Sequence, residues 1–360
     1  MGCMVVKKYI GLEEMSNGNC ASVLNIIRHC GEISRKEISD ISGLSWGGMT
    51  KIVNKLFEKG YIVEDKSEKT GGQGRTPHVI RMNRERNFVI GLDINRMGFG
   101  AYVMNLAGEV IKEYSEEGSF DNRDNLLKAM ITFTKKIFEE YASHNILAVG
   151  VAMQGLLDVE NGISIQFPRC ADWKNVPIKH LLQKEFQVDV FVEHDPNCML
   201  YSAIRELENE NMLLLRIDSS IGMAASVGGR ILRGNGLLEV AHHIVIPDGK
   251  LCRCGQKGCL EAYIAPCFVN KQLQPSAVAD MITPLAVFMN NMCKIFHSKE
   301  VILTGKLIEH KTFFEKVLLN KFYQNCEKEE VSVRFVEEAG KAVHGAALIA
   351  VQGAIDQIRI

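Results

Sequence analysis

Three short stretches of helical periodicity lie near the start of the chain. Val23, Leu24, Ile26 and Ile27 make the apolar stripe of the first, which Gly31 closes. Ser34 and Glu37 stand at the spacing of a capping box, in which each side chain satisfies an orphan amide of a helix's first turn. After a turn at Gly43, Ser45 is placed to cap a third helix whose Met49, Ile52, Val53 and Leu56 recur at i, i+3, i+4 and i+7 before Gly60 stops it. The period then changes. Tyr61-Ile62-Val63 reads as a strand, residues 64–76 as a polar loop, and His78-Val79-Ile80 as a returning strand. Three helices followed by a hairpin predict a winged helix-turn-helix over residues 1–82.

From Phe88 the apolar pattern turns to strands at Phe88–Ile94, Gly98–Met104 and Glu109–Tyr114, then a helix near Arg123–Tyr141 and a buried strand at Ile146–Ala152. Further strands are expected near Val188–Val192, Met212–Ile217 and Met223–Val227, with helices between them. Alternation of this kind predicts a two-lobed α/β body with a cleft between the lobes.

The third helix buries one stripe and leaves Trp46, Gly47, Thr50, Lys51, Asn54 and Lys55 on the other face, with Ser45 at its start. Thr50 and Asn54 suit base edges, and Lys51 and Lys55 suit phosphates. The loop tip, with Gln73 and Arg75 among glycines, suits a narrow minor groove. Double-stranded operator DNA is therefore the expected partner. Residues 1–82 carry 12 Lys and Arg against 9 Asp and Glu, so any footprint on DNA is a local patch rather than a global field.

Whole-chain composition changes this picture little. A formal charge of −1 and 46% hydrophobic residues describe a globular chain of 360 residues, long enough for two or three domains. No apolar run reaches the ~18 residues of a membrane span, and a signal-peptide pattern is not seen, so the expected location is the cytoplasm, with no membrane partner.

Most of the eleven cysteines stand alone, but Cys252, Cys254 and Cys259 crowd together. With His242 ten residues before the first thiol, they offer the four donors of a closed tetrahedral zinc site. Four protein ligands leave no position for a reactive water, so the metal would be structural, with Arg253 and Lys257 offsetting the thiolate charge.

The run Cys252-Arg-Cys-Gly-Gln-Lys-Gly-Cys-Leu-Glu261 resembles the signature of the ROK family of repressors, open reading frames and kinases. Within that family, the chain is similar to its sugar repressors of the xylose and N-acetylglucosamine type. The resemblance covers nearly the whole chain and implies an N-terminal winged helix before an actin-like (ribonuclease H-like), two-lobed sugar-kinase fold. On this basis residues 83–195 would form lobe 1 and 196–360 lobe 2 with the knuckle, the C-terminal helix packing back on lobe 1. It assigns the same four zinc ligands, and implies a homodimer or homotetramer.

The resemblance also implies a sugar or sugar-phosphate site. In the family's kinases an Asn-Asp pair supplies the base on the phosphoryl-accepting hydroxyl; here the pair is His194-Asp195, so Asp195 would be a vestigial base. The family's Glu-x-Gly-His motif resembles Glu239-Val240-Ala241-His242, one residue short of its usual spacing from the preceding glycine. His194, Asp195, Glu239, His242 and Glu261 would then hold the sugar. His242 would serve metal and sugar with its two ring edges.

The nucleotide loops depart from the kinase pattern. Asp-x-Gly-Gly-Thr is replaced by Asp93-Ile94-Asn95-Arg96-Met97, and Gly-Thr-Gly-x-Gly by Asp218-Ser219-Ser220-Ile221-Gly222. Two like charges ~4 Å apart, as Asp218 and a phosphate would be, repel by about 4 kcal/mol at an effective dielectric near 20. Arg96 is a conceivable counter-charge that the pattern does not indicate. The later glycine pair is Thr304-Gly305, and the helical stretch expected between Ile264 and Ala277 is short. No ATP is expected, and a regulator is expected ahead of the alternative, a sugar kinase with an attached DNA-binding domain.

Overall fold

The computed structural model describes residues 12–66, 78–95, 98–118, 120, 122–167, 170–207, 209–233, 240–269, 272–324, 331–337 and 341–358. Three helices come first: α1 (Leu12–Cys30), α2 (Arg35–Ser42) and α3 (Trp46–Glu58). The capping box forms as its spacing requires, with the Glu37 backbone donating to Ser34 Oγ and Glu37 Oε2 accepting from the Ser34 backbone at 2.8 Å. Gly43 ends α2 in the left-handed region, and Ser45 Oγ accepts from the Gly48 backbone at the start of α3. An antiparallel hairpin, β1 (Ile62–Lys66) and β2 (His78–Met82), completes the module; each strand runs a few residues past its apolar core.

Two lobes of matching topology follow. The first contains β3 (Asn87–Asn95), β4 (Gly98–Asn105), β5 (Val110–Glu117), α4 (Arg123–Glu140), β6 (Asn145–Met153), the small hairpin β7 (Leu156–Asp158) and β8 (Ile163–Gln166), α5 (Ile178–Phe186) and β9 (Asp189–His194). Its sheet order is β5-β4-β3-β6-β9, antiparallel through β5-β4-β3 and parallel through β3-β6-β9. Helix α6 (Asp195–Leu207) leads to the second lobe: β10 (Met212–Ile217), β11 (Ile221–Val227), β12 (Arg230–Ile231), α7 (Glu261–Ile264), β13 (Phe268–Val269), β14 (Gln272–Leu273), α8 (Pro275–Phe296), β15 (Glu300–Thr304), α9 (Lys311–Phe322), β16 (Ser332–Phe335) and α10 (Lys341–Asp356). Its order, β12-β11-β10-β15-β16, repeats the same sequence of antiparallel then parallel pairings. Where a short helix was expected between Ile264 and Ala277, the chain makes one 3-10 turn and the β13-β14 hairpin.

The lobes exchange helices. α6 leaves the last strand of lobe 1 and packs on β10 and β11, while α10 leaves the last strand of lobe 2 and packs on β3 and β6. Small residues make the crossing possible: a Cβ on Gly150 would lie 2.0 Å from the Ala346 carbonyl oxygen, and one on Gly345 would lie 1.8 Å from that of Cys198. Only glycine lets α10 seat on the sheet and against α6 at these points.

The winged helix is not hung on a free tether. Val23, Leu24 and Ile27 of α1, Met49, Val53 and Leu56 of α3, and Val351 and Ile355 of α10 belong to one continuous buried cluster that also takes in Val89 and Ala148 of the lobe 1 sheet. Arg28 of α1 reinforces it by donating to Gln352 of α10 at 2.7 Å. Among the described residues no helix is long and apolar enough to cross a membrane.

Candidate functional site

The knuckle is built by a chain that doubles back on itself. Residues 240–261 hold their shape through the bridges Ile244 to Cys259 and Leu251 to Lys257, which bring the cysteine loop beside His242. One donor atom from each of His242, Cys252, Cys254 and Cys259 lies within 4.8 Å of the others. Cys254 Sγ and Cys259 Sγ are 3.7 Å apart, and Cys252 Sγ and His242 Nδ1 are 3.6 Å apart. A tetrahedron with bonds of ~2.3 Å to sulfur has edges of about 3.7 Å, so the donor set fits a tetrahedral ion such as zinc. Cys252 and Cys259 are buried and Cys254 is exposed. Burial pushes the Cys259 thiol up to about 12, while a backbone amide of Gln256 holds Cys254 below its ordinary value. A cation arriving here has a proton to displace.

Asp195 and His194 sit at the carboxyl end of β9, where α/β sheets present ligand sites. Asp195 opens α6 immediately after β9 and is 5% exposed. Arg216, on β10, reaches across the lobes and spans two carboxylates, with Nη1 3.3 Å from Asp195 Oδ2 and Nη2 3.2 Å from Asp218 Oδ2. Asp218 also accepts from the Lys306 backbone amide at 2.9 Å. The counter-charge to Asp218 is thus Arg216; Arg96 lies outside the described residues.

His194 points its Nε2 at the Gly155 carbonyl, 2.9 Å away, and its Nδ1 lies 3.6 Å from Asp195 Oδ1. The carbonyl can only accept, so Nε2 is the donor in that pair. Its neighbour Glu193, 2% exposed, accepts from Arg233 Nε at 2.7 Å and Asn197 Nδ2 at 2.9 Å.

Glu261, 1% exposed at the start of α7, ties the metal donors to the second altered loop. Arg253 donates from Nε to Oε2 at 2.9 Å and from Nη2 to Oε1 at 2.8 Å, and Ser220 Oγ donates to Oε1 at 2.7 Å. Arg253 therefore serves Glu261, where the sequence suggested compensation of thiolate charge. His242 Nδ1 lies 3.9 Å from Glu261 Oε2. Asp195 and His194 thus group with Arg216 and Asp218, and His242 and Glu261 group at the knuckle, whereas Glu239 lies outside the described residues.

On the winged helix, Trp46, Lys51 and Asn54 are exposed and Lys55 is half-buried. Ser45 spends its hydroxyl on the helix cap. Thr50 differs from expectation: its Oγ1 is enclosed without a partner, because its position lies toward the buried stripe rather than at the centre of the outer face. Arg35, which the sequence reading missed, donates to Asn54 Oδ1 at 3.0 Å and is itself held by Glu64 at 3.2 Å. Gln73 and Arg75 lie outside the described residues.

Comparison with known proteins agrees with this layout. A family profile described as the ROK family matches residues 89–343, and a winged helix-turn-helix DNA-binding profile matches residues 22–63. The chain is 26% identical over 259 residues to the DNA-binding transcriptional repressor Mlc of Escherichia coli K12, covering 69% of this chain and 63% of that one. It is 25% identical over 242 residues to a xylose repressor of Caldicellulosiruptor bescii, covering 64% of this chain and 59% of that one. Each match thus spans a little under two thirds of the relative's length. Among solved structures, a ROK family transcriptional regulator described as a homolog of E. coli MLC superposes with a TM-score of 0.79 at 20% identity, covering 95% of this chain and 97% of that one.

Proposed function

The chain belongs to the ROK family, and from that premise we propose that it is a sugar-responsive transcriptional repressor acting in the cytoplasm. Operator DNA meets α3, with Lys51 and Lys55 at phosphates and Asn54, steered by Arg35, at base edges. Two copies would present two such helices to a paired half-site. The effector is a sugar or sugar phosphate held by Asp195, His194, His242, Glu261 and Glu239. His242, Cys252, Cys254 and Cys259 would hold a structural zinc ion, which supplies no chemistry beyond fixing the loop that carries Arg253 and leads into Glu261.

One observation carries this reading: the apolar core of the DNA-binding module is continuous with α10 and the lobe 1 sheet. A ligand that draws the lobes together must shift α10 against α6, and α3 moves with it. Binding energy at the sugar residues can then bias the spacing of the reading helices.

The kinase reading is disfavoured by Arg216. A phosphoryl-transfer site needs a free base and amide-lined loops, whereas here the base candidate is paired with a guanidinium and Asp218 stands in the second loop.

The test is selection of bound duplexes from random sequence, followed by anisotropy titration with a panel of sugars. The expected result is one preferred sequence whose affinity falls with one class of sugar. Turnover of Mg-ATP and a hexose to ADP, lost in Asp195→Asn, would instead establish the kinase.

A further inference from the structure

The outer face of α3 is bare where the helix begins. Gly47, Lys51 and Asn54 recur at i, i+4 and i+7, opposite the buried stripe of Met49, Ile52, Val53 and Leu56, and all three are exposed. Gly47 lies within the helix and outside the left-handed region, and a Cβ built on it would meet nothing within 4 Å. Alanine there would favour the helix, because glycine gives up more backbone freedom on ordering. The fold therefore gains nothing from this glycine. What glycine provides at such a position is close approach by a partner.

Beside it, Trp46 stands at the first position of α3 and is 57% exposed. The other tryptophan, Trp173, is 1% exposed and spends its indole N–H on Ser164. Trp46 is thus a large apolar ring presented to solvent at the end of the reading helix whose residues contact base edges in helix-turn-helix complexes. The base edges in the major groove are hydrogen-bonding groups with one exception, the C5 methyl of thymine, which an apolar side chain reads.

We propose that Trp46 reads a thymine methyl in the major groove of the operator, and that Gly47 lets the first turn of α3 come close enough for that contact. The inference rests on the DNA-binding function proposed above and adds a base that the helix specifies.

The test uses the duplex selected by the full chain, resynthesised with deoxyuridine for each thymidine in turn, which removes the methyl and keeps every hydrogen-bonding group. One position should weaken binding about fourfold, the worth of one buried methyl. In Trp46→Ala that position should distinguish thymidine from deoxyuridine by less than about 1.5-fold. Gly47→Ala should weaken the thymidine duplex by about tenfold, while its midpoint of urea unfolding stays level or rises. Acrylamide quenching, which reaches Trp46 and not the buried Trp173, should fall when the complex forms. A duplex indifferent to deoxyuridine at every position overturns the proposal and leaves DNA binding intact, as does a methyl preference that survives in Trp46→Ala, unchanged affinity in Gly47→Ala, or unchanged quenching. Selection of no duplex at all overturns DNA binding and this inference with it. Should Trp46→Ala fail to fold, the deoxyuridine series and the quenching of the unaltered chain decide.

Discussion

Replacing Arg216 with methionine isolates the fork that joins Asp195 to Asp218. Methionine keeps most of the stem's volume and removes the guanidinium, leaving Asp195 and Asp218 facing one another. At ~3.3 Å and an effective dielectric near 20, each attraction lost is about 5 kcal/mol before desolvation is counted. Removing one member of a buried pair typically costs about 3–5 kcal/mol. The side chain of Asp195 is 8% exposed, but Arg216 and Asp218 are 24% and 30% exposed, so screening places the expected loss at the lower end, ~3 kcal/mol, most of it through Asp195. Equilibrium urea unfolding, followed by circular dichroism, measures it. Asp195→Asn in the same background should recover about 1–3 kcal/mol, because the stranded charge is then gone. If the double variant loses the simple sum of the two single losses to within ~0.5 kcal/mol, Arg216 and Asp195 do not act as a pair and the reasoning fails.

Other predictions follow from the same structure. Because burial holds the Cys259 thiol near 12, zinc must displace a proton, so affinity falls with acid: lowering pH from about 7.5 to 6.5 should weaken zinc at least tenfold against a chromophoric chelator. A pH-independent affinity would contradict the thiolate site. Lys51→Ala should reduce the slope of log affinity against log salt for operator DNA by about 1, with sequence preference kept; an unchanged slope removes Lys51 from the interface. Gly345→Ala, whose new methyl would meet the Cys198 carbonyl, should cost about 1–3 kcal/mol in urea unfolding, and a neutral result would mean that α6 and α10 cross less tightly than described.

Local signals in the sequence were reliable where one residue type answers one local need. Ser34, Glu37, Gly43 and Ser45 marked α2 and α3 because caps depend on near neighbours alone, and the thiol spacing marked the knuckle because a closed metal site demands a tight loop. Arg216 was invisible for the opposite reason. It sits within a strand and its two partners come from different lobes, so no spacing announces it. Arg253 was assigned to the thiolates beside it in sequence, yet its guanidinium reaches the carboxylate eight residues on. Thr50 shows how a helical face read at one residue's resolution can err at its flank, where a small side chain turns inward. The exchange of α6 and α10 lies in Gly150 and Gly345, which read as ordinary small residues until the opposing backbone is known.

The central claim is that ligand at the sugar residues and DNA at α3 share one energetic linkage. Linkage requires reciprocity: the factor by which sugar weakens operator binding must equal the factor by which operator weakens sugar binding. Calorimetric titration of the effector sugar into the free protein and into its saturated operator complex measures that factor directly. The account predicts a loss of about 5- to 150-fold, matching the operator titrations, and its absence in Asp195→Asn. Equal sugar affinity with and without DNA would contradict it.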